Sequence, residues 1–385
     1  MARELIQNES NVYLVSLDDP VVTAARLSLL AGVRLVDELT GAPPAGGVAV
    51  TPLHPPSTPR VAEGGLVGLV GIPRNVFPKL ATTAYAAEFT VAADGYLSRT
   101  LSIAIPIDPT FPATFAAPPM ADLRLHRVAT SIWGRVMSLS GPVLAPAAGA
   151  SVVIDGVWRT PPASLSVVAD PPNLVSLTTP LYADRGLGAQ LTVMPLTPVP
   201  GDDKATLDDL PAGANPVRLS NRLSLAPGDL VLLDPDDPDR AEYLSVVTVA
   251  GATTPAQPAS FTFAFPTART HRKGTVARKV TPGASGLVKS ITVEGWSGDS
   301  CVFLADVLGL TVSFPVRISS AGIPDEYHTA RTLSAVADAQ GFFRLPPLGR
   351  VAQVSVRAKS GARAGSSKLQ PDYARRTNVL DLMIK

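Results

Sequence analysis

Ala226-Pro-Gly-Asp-Leu-Val-Leu-Leu233, the acidic run Asp234-Pro-Asp-Asp-Pro-Asp239, and Glu242-Tyr-Leu-Ser-Val-Val-Thr-Val249 read as strand, turn and strand. Each apolar run is too short for a helix, and the prolines between them fix φ and remove backbone donors. The turn chemistry and strand lengths suit a small barrel inserted between other strands. The same grammar recurs along the chain: short alternating apolar runs, punctuated by 38 prolines and 30 glycines in 385 residues, with no amphipathic helical period. The chain therefore reads as all-β and multidomain, with sandwiches and one small barrel-like insertion.

Working outward, residues 1–26 form an arm whose strand Val12-Tyr-Leu-Val-Ser-Leu17 closes at Asp18-Asp19-Pro20, and residues 1–17 are expected to pair outside their own sandwich. Residues 27–107 form a first sandwich, with Asp94-Gly95 as a tight turn. A proline-rich spacer spans 108–125, its prolines favouring extended geometry. A second sandwich runs over 126–200 and the barrel-like insertion over 201–284. Sandwich character returns over 285–385, with a loose Gly/Ser stretch at 360–367 and a last strand Asn378-Val-Leu-Asp-Leu-Met-Ile384. Whether 126–200 and 285–385 are one interrupted sandwich or two domains stays open at this level. A weak internal echo links Ala92-Ala-Asp-Gly-Tyr96 with Ala337-Asp-Ala-Gln-Gly-Phe-Phe343; in both, an aromatic follows a glycine turn and is expected to cap a core.

Charged residues make up 17% of the chain and the formal net charge is +1, so no long-range field draws in nucleic acid or an anionic membrane. A surface of Ala, Thr, Ser, Pro and Val predicts assembly with other subunits, as a homo- or hetero-oligomer. The single cysteine, Cys301, is expected to be a buried small hydrophobe. The first ten residues show no apolar leader core or small-residue cleavage site, and no stretch holds 18 uninterrupted apolar residues; the expectation is cytoplasmic assembly without a membrane span, into a particle that could be released from the cell.

Val36-Asp-Glu-Leu-Thr-Gly-Ala-Pro-Pro44, the alternating strands after it and Ala93-Asp-Gly-Tyr96 together resemble the transthyretin-like fold of carboxypeptidase regulatory-like domains, which are sandwiches without catalytic residues. Asp338-Ala-Gln-Gly-Phe-Phe-Arg-Leu-Pro-Pro347 and Val354-Ser-Val-Arg-Ala358 are similar to strands of the same fold. Pro227 to Val246, with Phe265 to Val280, resembles small β-modules of phage tails and contractile injection systems. The resemblance implies a non-enzymatic structural subunit of such a particle, at its cap, collar, sheath or baseplate. The alternative is a carbohydrate- or cell-surface-binding adhesion module.

Candidate chemistry is sparse, so no catalytic, cofactor-binding or metal-binding residue is assigned and no cofactor is expected. His54, His126, His271 and His328 are scattered without metal-ligand spacing and are expected at the surface or in turns. Asp202-Asp203, Asp208-Asp209 and Asp234 to Asp239 carry oxygen ligands of the kind calcium takes, but the run Asp234 to Asp239 contains two prolines and lacks the glycine and terminal glutamate of a calcium loop, so it reads as a solvated hairpin tip. Gly295-Trp-Ser-Gly-Asp-Ser300 and Gly283-Ala-Ser-Gly286 do not fit a nucleophile elbow, and Gly64-Gly-Leu-Val-Gly68 lacks the ending of a phosphate loop. The basic stretch Arg269-Thr-His-Arg-Lys273, with Arg278 and Lys279, could meet phosphate, an acidic polysaccharide or an acidic neighbour subunit. It has no interleaved stacking aromatics, which excludes nucleic acid as the favoured partner. Arg375-Arg376 before the last strand is treated the same way. Trp133, Trp158 and Trp296 are placed in or beside sandwich cores; an exposed one would suggest a carbohydrate platform.

Overall fold

The computed structural model describes residues 3–8, 11–16, 25–44, 46–54, 58–71, 85–105, 120–140, 143–159, 173–251 and 254–385. These residues are strands and turns, with one 3-10 turn at Glu63–Gly65. The chain divides into two compact units, Met1–Val128 and Ala129–Lys385.

In the first unit the long strand Ala25–Asp37 is the spine. Its N-terminal part pairs with Asn11–Ser16, and its C-terminal part pairs antiparallel with Leu66–Gly71 and parallel with Met120–Leu125. A second sheet joins Val48–His54, Tyr85–Ala93 and Arg99–Ile105. Alternation explains the burial: Val33 and Leu35 are buried where Arg34 is exposed, and Ala87, Phe89 and Val91 form the matching row. Two expectations change here. Arg3–Asn8 and Asn11–Ser16 form a hairpin on the edge of this unit's own sheet rather than an arm pairing elsewhere. Met120–Leu125 is a strand rather than spacer, because Leu123 and Leu125 alternate into the core. The rest of the expected spacer, 108–119, and the Asp18-Asp19-Pro20 turn lie outside the described residues.

Asp37 explains the Asp-Glu-Leu-Thr-Gly turn. Its buried carboxylate accepts the Leu39 and Thr40 amides at 2.8 and 3.0 Å, the Tyr96 hydroxyl at 2.6 Å, and Nε of Arg127. Burial raises this carboxyl, but Arg127, Tyr96 and the two amides outweigh it and hold it below its ordinary value. Burial and the bond to Asp37 push the Tyr96 phenol up to about 12. The aromatic after the Gly95 turn is therefore a hydrogen-bond donor to the turn across from it, not an apolar cap.

The second unit is nested. Its outer layer is a sandwich built from both ends of the unit. One sheet centres on Ser131–Ser140, flanked by Val143–Pro146 and Phe342–Arg344 on one side and by Thr377–Val379 and Leu382–Ile384 on the other. The facing sheet joins Ser334–Val336, Ser151–Trp158, Gln353–Ser360 and Arg363–Leu369. Ile132, Val136, Phe343, Leu382 and Ile384 interdigitate with Val152, Ile154, Val354, Val356 and Ala358 in one core. It is thus one interrupted sandwich.

Between Trp158 and Ser334 the chain builds a barrel, not more sandwich. Its sheet runs Val288–Ser290, Gln190–Val193, Ser313–Ser320, Ile323–Thr332, Leu174–Leu177, Cys301–Phe303. The Ile291–Leu304 bridge joins its two ends, with Ala305 N–H donating to Ser290 O at 2.9 Å. Residues 174–193 and 288–332, read from sequence as sandwich, belong here, because their inward rows Leu191, Val316, Ile318 and Ala330 face a core of their own.

Nested inside that barrel is a second one. Leu196–Ala205, Val276–Pro282, Leu230–Leu233, Glu242–Ala250, Ala259–Phe263 and Val217–Leu219 form its sheet, which the Thr206–Leu219 bridge closes. Val231 and Leu233 fill its interior, while Leu230 and Leu232 point outward against the host barrel's Tyr327 and Met194. That explains why the four-residue run is buried on both faces.

The two barrels repeat one pattern. Val217-Arg-Leu-Ser-Asn-Arg-Leu-Ser-Leu225 matches Val302-Phe-Leu-Ala-Asp-Val-Leu-Gly-Leu310, and the backbone agrees with it. Asn221 Oδ1 accepts Leu223 N–H as Asp306 Oδ1 accepts Leu308 N–H, and positive-φ Ser224 stands where Gly309 does. The Leu210–His271 bridge answers the Arg185–Gly295 bridge, Gly213 answers Gly298, and Gly274 answers Gly188. Within each barrel the strand neighbours are the same once the chain order is rotated by two strands. The inner barrel is a circularly permuted copy of its host.

The last strand needs two glycines. A Cβ on Gly134 would lie 2.0 Å from Leu380 O, and one on Gly365 would lie 1.9 Å from Met383 O. The Gly/Ser stretch at 360–367 is accordingly a strand, Arg363–Leu369, kept bare so that the C-terminal backbone can pass. Gly365→Ala is expected to destabilise the second unit by about 2–4 kcal/mol, seen by calorimetry as a melting temperature lower by roughly 5–10 °C. Gly186→Ala, where nothing lies within 4 Å of the added Cβ, should change stability by less than about 0.5 kcal/mol.

Candidate functional site

The densest chemistry lies where the two barrels meet. In the host barrel, Glu326 on Ile323–Thr332 is buried with Arg185 and His328. Its Oε1 accepts Ala183 N–H at 2.9 Å and Arg185 Nε and Nη2 at 2.9 and 2.6 Å; Oε2 accepts Tyr182 N–H and His328 Nε2–H, each at 2.9 Å. Thr179 Oγ1 lies 2.8 Å from His328 Nδ1.

The inner barrel holds the counterpart. Glu242, which like Glu326 precedes a tyrosine, accepts Ala268 N–H at 2.8 Å and the Tyr182 hydroxyl at 2.9 Å on Oε2; its Oε1 lies 2.5 Å from His271 Nε2. His271 occupies the place of Arg185, and its Nδ1 faces Asp234 Oδ2 at 3.5 Å. The two centres interlock. Tyr182 of the host reaches Glu242 while stacking on Phe265 and His328, and Arg269 of the insert donates to Thr178 O.

Burial raises the Glu326 carboxyl, but the His328 hydrogen bond and charge, the Arg185 charge and the Tyr182 amide prevail and hold it below its ordinary range. Burial, helped by Glu242, pushes the Tyr182 phenol well above 10. Thr179, His328 and Glu326 have the hydroxyl, imidazole and carboxylate order of a nucleophilic triad. All three are at most 1% exposed; the arrangement satisfies buried charge rather than presenting a nucleophile.

Three histidines expected at the surface or in turns, His126, His271 and His328, are buried. His126 lies 3.5 Å from Glu38, so each of the three sits beside a carboxylate that makes its burial tolerable. His54 ends the Val48–His54 strand. No group of three or more His, Cys, Asp or Glu among the described residues is arranged to hold a metal. Asp234 to Asp239 is the tip of a hairpin, with Asp234 at positive φ and turned toward His271.

The basic stretch disperses. His271 is buried, Arg269 is spent on Thr178, Arg278 pairs with Asp203 and Lys279 with Asp229, which leaves Arg272 and Lys273 facing solvent. Gly295 to Ser300 is a turn in which Asp299 accepts Trp296 N–H at 2.7 Å and Ser297 Oγ donates to Tyr182 O. Trp158 is half-buried beneath Lys368, Trp296 is half-buried in its turn, and Trp133 is exposed. Sequence reading missed the Glu242 and Glu326 pair. The shared Glu-Tyr on equivalent strands, within the wider repeat, is the signal that marks it.

No family model and no curated protein matches the chain. Two solved structures align with it, crystal structures of BcpA, the major pilin subunit of Bacillus cereus, and of a variant of it. They are 8% and 9% identical, cover 92% of this chain and 99% of that one, and superpose with a TM-score of 0.18. No helix among the described residues is long and apolar enough to cross a membrane.

Glu326→Gln should cost about 3–5 kcal/mol, because it strands the buried Arg185 charge. Tyr182→Phe, which takes one donor from Glu242, should cost about 1–3 kcal/mol; urea midpoints measure both. Since the folded Glu326 value lies below the unfolded one, its contribution is complete above about pH 4.5 and lost as pH falls through the lower folded value. Stability against pH should therefore be shallower in Glu326→Gln over that acid limb. Cys301 is buried, and burial pushes its thiol up to about 12; it should resist alkylation at pH 8 in the native chain and react once urea unfolds the second unit.

Proposed function

We propose that this chain is a non-enzymatic structural subunit of a phage-tail-like contractile injection particle, working through docking of its β-domains. The carrying observation is where the reactive side chains are. Glu242, Glu326, Arg185, His271 and His328, the densest cluster of groups that could do chemistry, are consumed at the junction between two barrels, where they join modules. A chain that invests its polar chemistry in cohesion offers shaped surfaces to partners. The particle assignment itself is supported by the resemblance of Pro227 to Val246 and Phe265 to Val280 to small modules of such assemblies, and by the low charge of the chain.

A second reading, a carbohydrate- or cell-surface-binding adhesion module, is favoured by the exposure of Trp133 on a sheet face. Expression of the tagged chain in its native host, followed by gradient sedimentation and negative-stain microscopy, separates them. Co-sedimentation with a large tail-like particle is the expected result. A free chain in the light fractions that binds on a glycan array would replace the first reading with the second.

A further inference from the structure

The outer face of the interrupted sandwich carries a band of unpaired apolar side chains. On Ser131–Ser140 the inward Ile132 and Val136 alternate with outward Trp133, Arg135, Met137 and Leu139. Register extends these outward residues sideways. Val379 and Arg344 flank Trp133, Phe342 lies beside Arg135, Met383 and Pro146 flank Met137, and Leu144 lies beside Leu139. Trp133, Phe342, Leu139, Leu144, Val379 and Met383 are each 37–60% exposed. The residue after the Gly341 turn is among them, so of the expected aromatic pair Phe343 faces the core and Phe342 faces outward.

The band's size limits its partner. From Trp133 to Leu139 it spans about 20 Å at roughly 3.3 Å per residue, and three strands make it about 14 Å wide. The resulting area of roughly 300 Å² falls well short of the about 800 Å² per partner of a standard stable interface, and it matches one extended segment of about six residues.

Its charge limits the partner further. Arg135 lies over the Phe342 ring at 5.2 Å with Nε donating to Gln340 O at 2.8 Å. Neither Arg135 nor Arg344 has an ion pair among the described residues, and each stands next to Trp133 or Phe342 in the register. The nearby carboxylates serve the backbone: Asp381 Oδ1 accepts Arg135 N–H, and Asp338 Oδ1 accepts the Gln340 and Phe342 amides. Two copies facing each other across a two-fold axis would bring arginines together, which opposes self-pairing.

We infer that this sheet face, centred on Trp133, Arg135, Phe342 and Arg344, docks an extended segment of another protein in whose facing row, every second residue, apolar side chains alternate with carboxylates. The inference rests on the docking role proposed above and gives it a place and a partner chemistry. A strand-like segment presents every second side chain to this face, so the apolar members of that row would lie on Trp133, Met137 and Leu144 and its carboxylates against the two guanidinium groups.

The test uses the full chain and two fluorescein-labelled octapeptides with Ser at every second position, the row between alternating Val and Glu in one and Val and Lys in the other, read by anisotropy. The Val-Glu peptide should bind. The Val-Lys peptide should bind at least about tenfold more weakly, and Trp133→Ala should weaken the Val-Glu peptide by at least about tenfold. Arg135→Glu with Arg344→Glu should invert the peptide preference, which no folding defect would produce. Equal affinity for both peptides, or no binding of the Val-Glu peptide up to about 1 mM, would overturn the inference. So would a dimer that Trp133→Glu dissolves, or glycan-array binding that Trp133→Ala abolishes. Sedimentation keeps the two ideas apart: co-sedimentation without peptide binding removes this face and leaves the structural role, and peptide binding without a particle does the reverse.

Discussion

Two carboxylates taken out of water fix how the two barrels of the second unit meet. Glu326 and Glu242 are each fully buried, and a buried carboxylate is tolerable only when donors surround it. The donors come from the loops after Leu174–Leu177 and Ala259–Phe263, so those loops are fixed in the conformation that aims Tyr182, Ala183 and Ala268 amides at the carboxylates. Because Tyr182 serves both centres, setting one carboxylate also sets the orientation of the other barrel. Apolar contact does the rest, through Leu230, Leu232, Val280, Met194 and Tyr327. The hydrophobic term supplies most of the free energy there, and the polar chain selects a single way for the barrels to meet.

The circular permutation matches the point of insertion: the inner barrel is opened at the same loop of the shared pattern at which it interrupts its host. A barrel has no edge strand, so a second barrel can enter only at a loop. The loop between Gln190–Val193 and Val288–Ser290 brings the two chain crossings side by side: Gly286 N–H donates to Val193 O and Gly283 N–H to Pro195 O, at 2.8 and 2.7 Å. The insert therefore leaves where it entered. The same economy places the whole barrel pair between two neighbouring strands of the sandwich, Ser151–Trp158 and Ser334–Val336.

Much of this was legible in the residues. The Leu230–Leu233 and Glu242–Ala250 hairpin was marked by its prolines and aspartates, because turn chemistry is local. The all-β class followed from the absence of helical period. What escaped was non-local. The assignment of Ser290 to Ile318 to sandwich failed because a half-buried strand reads alike in a barrel and in a sandwich. His126 and His271 were misplaced because their burial depends on carboxylates far away in sequence, Glu38 and Glu242; Glu326 is close to His328 in sequence, but that both turn inward is set by the barrel around them. The Gly/Ser stretch at 360–367 looked loose because nothing nearby in sequence announces that Met383 will pass over Gly365. The repeat itself was present in Val217 to Leu225 and Val302 to Leu310, spaced too far apart for a local reading.

Nesting also imposes an order on vectorial synthesis. Residues 196–282 are contiguous and can close as soon as they leave the ribosome; the host barrel must wait for Ile323–Thr332, and the sandwich for Leu382–Ile384. Strand Ser131–Ser140, made early, therefore spends most of translation beside an empty slot over Gly134. A ribosome that stalls late releases a chain with sound inner modules and a gaping outer one, a species that quality-control factors could single out by its open seam.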